Sequence, residues 1–326
     1  MSNKNKNYKR FSFAPLGLGG KSYSRNLQRS CIAAICILVC GLFFTGCKNE
    51  TSTSLPETST REITDDLGHH VTLPAKVERA VSLAPSLTEI VFAVDSGDKL
   101  VGVTTYCNYP AEAQKIAKVG DTISPNLETI IALKPQVVFV STASQIESFT
   151  KTLEQQNIAV FVTNPKNLDG VYQSIFQIGE IFERSDKAHE IVNGLKKRVA
   201  EIEDKTKNEK SVKVFVQFSK EPLFTIGRDS FVTDLILRAG GESVTANVAE
   251  AYPKFSKETA FAVQPEAIIL SDSEDNREPN EVFNNSPAVK NEKVFRISAD
   301  LLSRPSPRIV DALEQIAKSL HHEKFE

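Results

Sequence analysis

Short apolar runs alternate with amphipathic segments along most of the chain. The runs Val137 to Val140 and Ile158 to Val162 carry no polar side chain, which is typical of strands buried on both faces of a parallel sheet. Helical periodicity follows such runs, and the order strand, helix, strand predicts an α/β fold with right-handed crossovers. Ligands of such sheets meet the loops at the carboxyl ends of the strands.

One helical segment is longer than the rest. Residues 185–207 carry a single narrow apolar stripe on a charged background, with Ser185 as the predicted N-cap. About 22 helical residues span roughly 33 Å, enough to run beside a whole lobe. Because strand–helix alternation lies on both sides, we predict two α/β lobes joined by this helix. The alternative is a surface helix of a single α/β domain.

An internal repeat supports two lobes. Residues 126–141 (NLETIIALKPQVVFVS) and 256–271 (SKETAFAVQPEAIILS) match at a constant offset of 130, with five identities in 16 positions. Both copies read as a capping residue, an acid, a helix, a proline and a strand. The two lobes are therefore predicted to share a helix–strand unit.

Prolines set further predicted boundaries. Pro85 is predicted to end a strand, with Ser86 as the cap of the next helix. Residues 298–308 are predicted to form a loop. Pro307 is then predicted to begin the final helix, which ends near Leu320.

The first 46 residues have the features of an export signal. Residues 1–29 carry seven basic side chains and no acidic one, and an apolar run of 14 residues follows from Cys31 to Phe44. That run is too short for a membrane span and fits the core of a signal peptide. It ends in Phe44-Thr45-Gly46-Cys47, which resembles a bacterial lipobox and predicts lipidation of Cys47. The alternative is a plain secretory signal with an incidental cysteine.

The predicted domain organisation follows from these features. Residues 48–62 are rich in Ser, Thr and Glu and lack a pattern that would bury a face, which predicts a flexible tether. The predicted segments are a signal peptide over 1–46, a lipidated Cys47 with its tether over 47–62, a first lobe over 63–184, a linker helix over 185–207 and a second lobe over 208–326.

Charge and cysteine content narrow the function classes. The whole chain has 39 basic and 41 acidic side chains. Without the leader, 32 basic and 41 acidic side chains remain, a formal charge of −9, which argues against a nucleic-acid partner. Only Cys107 remains besides Cys47, so we expect no internal disulfide.

Sequence signatures of catalysis are missing. The chain has no G-x-S-x-G elbow, P-loop, H-E-x-x-H motif or Gly-rich dinucleotide turn. Its five histidines are not spaced as metal ligands. We therefore expect no catalytic residue, no metal site and no cofactor. A lipoprotein enzyme or a metal-binding protein is the alternative from a different class.

The candidate ligand contacts are aromatic and polar loop residues. Tyr106, Phe224 and Tyr252 fall in predicted loops or turns, and such side chains suit a large, partly polar ligand. Each of them could instead pack against its own lobe. Asp300 and Arg304 stand four residues apart, where they could anchor polar groups of a ligand or pair with each other.

Two glutamates occupy equivalent places in the repeat. Glu128 and Glu258 both lie in the first turn of a predicted helix. One explanation is stabilisation of the helix dipole. The other is a pair of carboxylates, one per lobe, that dock onto basic pockets of a symmetric membrane dimer.

Several segments resemble the helical-linker (class III) periplasmic binding proteins of ABC importers, most closely the cobalamin-binding branch. The resemblance covers about residues 63–320, nearly the whole chain after the leader and tether. The segments are SLAPSLTE, YCNYP, NLETIIALKPQVVFV, PLFTIG and SRPSPRI. The resemblance implies two Rossmann-like lobes joined by one rigid helix, with the ligand held between them.

The resemblance also implies roles for individual residues. Tyr106 and Phe224 match aromatic residues of the family's cleft, and Tyr252 falls where a tryptophan is found. Asp300 and Arg304 match polar contacts to the ligand.

The resemblance further implies partners and location. Glu128 and Glu258 match the two carboxylates that dock onto arginines of the permease. The implied partners are a corrinoid, with cobalamin first, and an ABC permease dimer with its ATPase subunits. Haem or a ferric siderophore is the alternative ligand of the same class. The protein is expected to be a monomer, exported and held at the cell envelope by its lipid.

Overall fold

The computed structural model describes residues 59–142 and 147–326. The predicted signal peptide, Cys47 and most of the predicted tether lie outside the described residues. In the described part of the chain, no helix is both long and apolar enough to cross a membrane.

An antiparallel hairpin begins the described chain. Strand β1 (Thr60–Thr64) starts within the last residues of the predicted tether and pairs with β2 (His70–Pro74). At the turn, the Asp65 carboxylate accepts hydrogen bonds from the backbone N–H groups of Leu67 and His69, at 2.9 Å each. The hairpin packs beside the outer strand of the first lobe.

The first lobe is a four-stranded parallel sheet with helices on both faces. The strand order is β4-β3-β5-β6. Alternate residues of the apolar run Val137 to Val140 divide between two clusters, with Val137 and Phe139 on one face and Val138 and Val140 on the other. The elements are β3 (Ala80–Ser82), α1 (Pro85–Ala93), β4 (Leu100–Val103), α2 (Leu127–Ala132), β5 (Val137–Ser141), α3 (Glu147–Glu154), β6 (Ala159–Thr163) and α4 (Leu168–Ile181).

The start of α1 corrects one predicted boundary. Pro85 does not precede this helix but is its first residue, after the N-cap Ala84, and no side chain caps the helix. The prediction that Ser86 caps it was therefore wrong. A proline fits the first helical position because its fixed φ suits the helix and that position needs no N–H donor.

The linker helix α5 (Ser185–Thr206) joins the lobes as predicted. Its N-cap is Arg184, without a side-chain cap, so Ser185 is the first helical residue and not the cap. The predicted stripe is buried and packs into an apolar cluster that also contains core residues of both lobes. The buried residues of α5 are Ala188, Val192, Leu195, Val199, Ile202 and Thr206.

The second lobe repeats this architecture. Its parallel sheet has the order β10-β9-β7-β8. The elements are β7 (Val212–Gln217), α6 (Phe231–Arg238), β8 (Gly241–Ser243), α7 (Lys257–Ala262), β9 (Ala267–Asp272), α8 (Pro287–Lys290), β10 (Val294–Ser298), α9 (Ala299–Leu302) and α10 (Ile309–Leu320).

The final segment differs from its prediction. Residues 298–308 are not wholly a loop, because α9 turns once directly after β10. The last helix begins at Ile309 and not at Pro307, after the N-cap Arg308. Asp300 therefore lies in the first turn of α9, and Arg304 follows that helix.

The internal repeat extends over whole sheets. When β3, β4, β5 and β6 are matched to β7, β8, β9 and β10, the two strand orders are identical. Backbone details also recur at the offset of 130. Lys134 and Gln264 both have a left-handed φ, at 48° and 38°. Two residues further on in each copy, a backbone N–H donates to a carbonyl at the start of the neighbouring chain segment: Gln136 to Arg79, just before β3, and Glu266 to Lys213 of β7, at 2.8 Å in both cases.

Candidate functional site

A cleft between the lobes holds a cavity of about 520 Å³ that is open to solvent. Loops that follow strands β3, β4, β5, β6 and β10 contribute to its wall, as expected for the carboxyl ends of parallel strands. The described lining consists of Ala84, Pro85, Ser86, Tyr106, Thr122, Ser141, Thr142, Asn164, Pro165, Asp229, Phe231, Ala251, Tyr252, Asp300, Ser303, Arg304 and Pro305.

A second, larger hollow of about 970 Å³ lies elsewhere. It is bounded by the hairpin strand β2, by β6 and by α3. Its walls come from the hairpin and the first lobe alone, whereas the cleft is lined by loops that follow parallel strands of both lobes. We therefore take the cleft between the lobes as the candidate binding site.

The aromatic residues of the cleft come from both lobes. Tyr106 lies in the loop after β4 and is 60% exposed, and Tyr252 lies in the loop before α7 and is 42% exposed. The Tyr252 ring meets Phe218 edge to face, with ring centroids 5.1 Å apart. Open aromatic faces on opposite walls suit a large flat ligand between them.

Phe224 lies beside the cleft and does not line the cavity. It is half-buried, and its backbone pairs with Ser219 and Lys254. Through Lys254 it supports the segment that carries Tyr252.

Burial raises the pKa of the Tyr252 phenol, and a hydrogen bond with Ser230 acts in the opposite direction. Many protein atoms surround this hydroxyl, although 42% of the residue's surface remains open to solvent. Because its pKa lies above the ordinary value for tyrosine, the Tyr252 phenol is neutral at pH 7.

Asp300 and Arg304 form an ion pair at one wall of the cleft. The Arg304 Nη2 donates to the Asp300 Oδ1 at 2.6 Å, one helical turn apart. Asn108 from the first lobe closes a ring, because its Oδ1 accepts from Arg304 at 2.7 Å and its Nδ2 donates to Asp300 at 3.2 Å. The Asp300 side chain is 43% exposed and that of Arg304 only 8% exposed, so Asp300 is the more accessible to a ligand.

Glu89 was missed by the sequence analysis. It lies on α1 among the buried residues Leu87 and Ile90 and is itself only 4% exposed. Its carboxylate accepts hydrogen bonds from Arg304 and Arg308 of the second lobe. An acid on the buried face of an apolar helix was the signal in the sequence, since such an acid needs a partner.

Arg308 completes the buried cluster. Its guanidinium lies 3.9 Å from the ring centroid of Tyr109. Its hydrogen bond with Glu89 is the main cause of its raised pKa. Arg308 is therefore a permanent cation that joins the second lobe to the loop after β4.

The hairpin supports the opposite wall. The Asp66 carboxylate accepts the backbone N–H of Asn164 at 2.6 Å, and the Asn164 side chain accepts from Thr142 at 2.8 Å. Burial raises the pKa of Asp66, and the bond from Asn164 partly offsets that effect. Asn164 and Thr142 both line the cavity, so the hairpin fixes two neutral polar groups there.

A second set of polar contacts joins the lobes beside Asn164. Lys166 pairs with Asp229 at 3.1 Å. The Asp234 carboxylate of α6 accepts the N–H of Leu168 at the start of α4, at 2.9 Å. The same carboxylate accepts from Arg238 at 3.0 Å. The lobes are thus held together by polar contacts on two sides of the cleft and by α5.

Glu128 and Glu258 hold equivalent, exposed places at the second position of α2 and α7. Asn126 and Ser256 cap these helices by accepting the N–H of the residue three positions on. Hydrogen bonds from its own backbone N–H and from Ser256 lower the pKa of Glu258. Neither glutamate lines the cavity.

Metal-ligand clusters are missing from the described residues, which hold no group of three or more His, Cys, Asp or Glu side chains placed to bind an ion. The histidines have structural surroundings, such as His321 beside the Gly240 carbonyl at 3.2 Å and His189 against Phe176. Cys107 is buried beside the hydroxyls of Thr88 and Thr104.

The sequence profile described as "Periplasmic binding protein" matches residues 81–301. The chain belongs to the periplasmic binding protein family. Its two parallel-sheet lobes and single linker helix place it in the class III fold of that family. Members of this class capture a ligand for an ABC transporter.

Individual relatives are similar over most of their length. An uncharacterized ABC transporter substrate-binding lipoprotein of Bacillus subtilis, YvrC, is 30% identical over 304 residues, which cover 89% of this chain and 96% of that protein. The vitamin B12-binding protein of Vibrio parahaemolyticus is 29% identical over 244 residues, 74% of this chain and 89% of that protein. The structure of the periplasmic vitamin B12-binding protein BtuF of Vibrio cholerae superposes with a TM-score of 0.66 at 26% identity, over 77% of this chain and 99% of that one.

These similarities fix the functional class. The chain is an ABC-transporter substrate-binding protein and not an enzyme. The ligand it binds is a transported molecule rather than a cofactor. Its partners include a permease with ATPase subunits, and the family points to an exported protein of the cell envelope.

Proposed function

We propose that this protein captures cobalamin, or a closely related corrinoid, in the cleft between its lobes and delivers it to an ABC importer. The observation that carries the choice of ligand is the charge of the cleft. Asp229, Asp300 and Arg304 are the charged residues among the described lining. Arg304 is the only cation among them, and it already pairs with Asp300 and Glu89.

This charge pattern favours a ligand without net negative charge. Corrins carry amide side chains around their edge, which both donate and accept hydrogen bonds. The lining offers matching neutral groups in Ser86, Thr142, Asn164 and Ser303. The exposed Asp300 carboxylate accepts hydrogen bonds from amide N–H groups but repels carboxylates.

The aromatic walls fit the same ligand. Tyr106 and Tyr252 present open rings from opposite lobes, and a corrin is a broad, largely apolar macrocycle with polar edges. Contacts of this kind combine burial of apolar area with polar tips that stay hydrogen-bonded. The names of two relatives that bind vitamin B12 support the proposal.

Haem is the second candidate, and the Tyr106 and Tyr252 phenols favour it, because tyrosine is a known haem iron ligand. Two features weigh against haem. Its two carboxylates would find no free cation in the described lining, and that lining contains no histidine, methionine or cysteine. A ferric siderophore with a net negative charge meets the same charge barrier.

Titration of the purified protein without its leader tests the ligand. Cyanocobalamin, haem and a ferric siderophore are each added under identical buffer and salt, and binding is followed by calorimetry. We expect one cyanocobalamin per chain, bound at least tenfold more tightly than the other two. No corrinoid binding at high micromolar concentration would refute the proposed ligand, and tighter binding of haem would select the second candidate.

The proposed delivery uses Glu128 and Glu258. One exposed carboxylate per lobe, displayed at equivalent places of a repeated unit, suits a permease dimer with one arginine pocket on each subunit. Both carboxylates lie outside the cavity lining, so docking leaves the ligand undisturbed.

The proposed anchor is a lipid on Cys47. The B. subtilis relative is named a lipoprotein, and the sequence before Cys47 resembles a lipobox. Replacing Cys47 with Ser is expected to release the folded protein from the membrane fraction. Continued sedimentation of the Cys47→Ser protein with membranes would exclude the anchor.

A further inference from the structure

The Glu89 carboxylate is the centre of a buried cluster that spans both lobes. It accepts hydrogen bonds from Arg304 Nη1 at 3.1 Å, from the Ser306 hydroxyl at 2.6 Å and from Arg308 Nε and Nη2 at 2.9 and 2.5 Å. Its side chain is only 2% exposed. Glu89 belongs to α1 of the first lobe, and all its donors belong to the second lobe.

Arg304 connects this buried carboxylate to the open cleft. One guanidinium nitrogen donates to Glu89 and Asn108, and the other donates to Asp300. The second nitrogen also approaches the Tyr106 carbonyl at 3.5 Å. Glu89 itself does not line the cavity, whereas Tyr106, Asp300 and Arg304 do. Arg304 is therefore the residue through which Glu89 reaches the polar wall of the binding site, which consists of Tyr106, Asp300 and Arg304.

The charges in this cluster balance. Glu89 and Asp300 are acidic, and Arg304 and Arg308 are basic, which sums to zero. A buried guanidinium without its carboxylate partner would be strongly disfavoured and would seek another anion or water. Removing the charge of Glu89 alone leaves one positive charge in excess beside the cleft.

We propose that Glu89 is a positioning residue of the ligand site, acting through Arg304 to hold Asp300 and the Tyr106 loop in place and to keep this wall of the cleft electrically neutral. The inference rests on the proposed function, because it explains how the site selects an amide-rich ligand with no net charge. It also means that the complete polar wall exists only while the two lobes are docked against each other. Glu89 makes no contact with the ligand itself.

The first test needs no ligand. Side-chain ¹H–¹⁵N NMR of arginine-labelled apoprotein reports rotation of the Arg304 guanidinium, with the signal assigned from an Arg304→Lys variant. We expect hindered rotation, seen as separate Nη signals, in the parent protein and faster rotation with merged signals in Glu89→Gln. Unchanged Arg304 signals in Glu89→Gln would overturn the proposal. This readout stands whether or not the protein binds a corrinoid.

The second test is a double-mutant cycle on the affinity for cyanocobalamin. Coupled residues show interaction energies that correspond to roughly 2- to 150-fold in affinity, and we expect Glu89→Gln to weaken binding by about tenfold or more. In an Arg304→Gln background the same Glu89→Gln change is expected to alter affinity by less than about twofold, because its route to the ligand is gone. An equal loss in both backgrounds would overturn the proposal.

Asp169→Asn is the matched control. It breaks another contact between the lobes, the pair with Arg238 at 3.8 Å, and neither of these two residues lines the cavity or touches Arg304. We expect Asp169→Asn to retain the parent affinity and the parent Arg304 signals. An equal loss of affinity in Asp169→Asn would mean that any loosening of the lobes has this effect, which would contradict a specific role for Glu89.

Ser306→Ala provides an independent test of the role of Glu89 if the Glu89→Gln protein does not fold. Ser306 is fully buried and donates to the same carboxylate, so Ser306→Ala loosens Glu89 without removing its charge. We expect Ser306→Ala to weaken cyanocobalamin binding severalfold. A folded Ser306→Ala protein with the parent affinity would overturn the proposal. If the parent protein binds no corrinoid, the proposed function fails, and the NMR test alone decides the role of Glu89.

Discussion

At the residue scale, the cleft combines open aromatic rings with charges that are already paired. Tyr106 and Tyr252 offer exposed surface from opposite lobes, whereas Arg304 is nearly enclosed by its acceptors. Arg304 was expected to contact a ligand directly. Its geometry makes it first a support for Asp300, which is the more exposed of the two.

Tyr252→Ala tests the aromatic wall. We expect it to weaken cyanocobalamin binding by about 1–3 kcal/mol, the range for a well-packed aromatic contact. Calorimetric titration measures the change. Phe224→Ala is expected to have a smaller effect, because Phe224 only supports the Tyr252 segment through Lys254.

Phe261→Ala is the control for loss of an exposed aromatic ring. Phe261 is 57% exposed on α7 and does not line the cavity. We expect unchanged affinity for this variant. A similar loss for Phe261→Ala and Tyr252→Ala would show that the weakening is not specific to the cleft.

Sequence patterns could identify individual candidate residues of the cleft but not the contacts between them. Tyr106 and Tyr252 could be selected because aromatic residues in loops at strand ends are uncommon enough to notice. The partnership of Glu89 with Arg304 could not, since the two residues are 215 positions apart. Such a pair is created only when the lobes dock, and no local pattern encodes it.

At the element scale, the linker helix depends on a close approach to α4. A Cβ added at Gly179 of α4 would lie 2.6 Å from the Ala188 side chain of α5. Glycine at this point lets the two helices pack together. Gly194 on α5 is different, because a Cβ added there meets nothing within 4 Å.

The same substitution is therefore expected to have opposite effects at these two glycines. Gly194→Ala should raise the free energy of unfolding by about 0.5–1 kcal/mol, the cost of glycine in a helix interior. Gly179→Ala should lower it by about 1–3 kcal/mol through overpacking. Urea denaturation measures both. Destabilisation by Gly194→Ala would contradict a continuous, well-formed linker helix.

The periodic elements could be predicted from the sequence because their signals are local. The stripe of α5 and the repeated α2–β5 and α7–β9 units follow from spacing, caps and prolines, and the structure confirms them. The predicted helix starts next to Pro85 and Pro307 were wrong by one or two residues. At Pro85 the same residue type that ends strands also opens helices, and the single turn of α9 is too short to show helical periodicity.

At the scale of the whole molecule, the linker helix and two sets of polar contacts resist opening. Glu89 pairs with Arg304 and Arg308 on one side of the cleft, and Lys166 pairs with Asp229 on the other. Bending α5 would break backbone hydrogen bonds. The lobes are therefore expected to hold nearly the same angle with and without ligand.

Small-angle X-ray scattering tests this expectation. The radius of gyration should agree within error between the free protein and the protein saturated with cyanocobalamin, with loop ordering as the main response. A buffer blank that contains the same concentration of cyanocobalamin corrects for scattering by the ligand itself. A clear compaction of the parent protein on binding would contradict a rigid linker.

Uptake of radiolabelled cyanocobalamin by the native host tests capture and delivery together. In a strain that lacks the protein, the parent chain is expected to restore uptake, whereas the Glu128→Ala, Glu258→Ala double variant is not. Losing a carboxylate at a buried interface costs on the order of 2–5 kcal/mol, and the double variant should still bind cyanocobalamin with the parent affinity. The account predicts this separation of binding from transport. Normal uptake with the double variant, or without the protein, would contradict it.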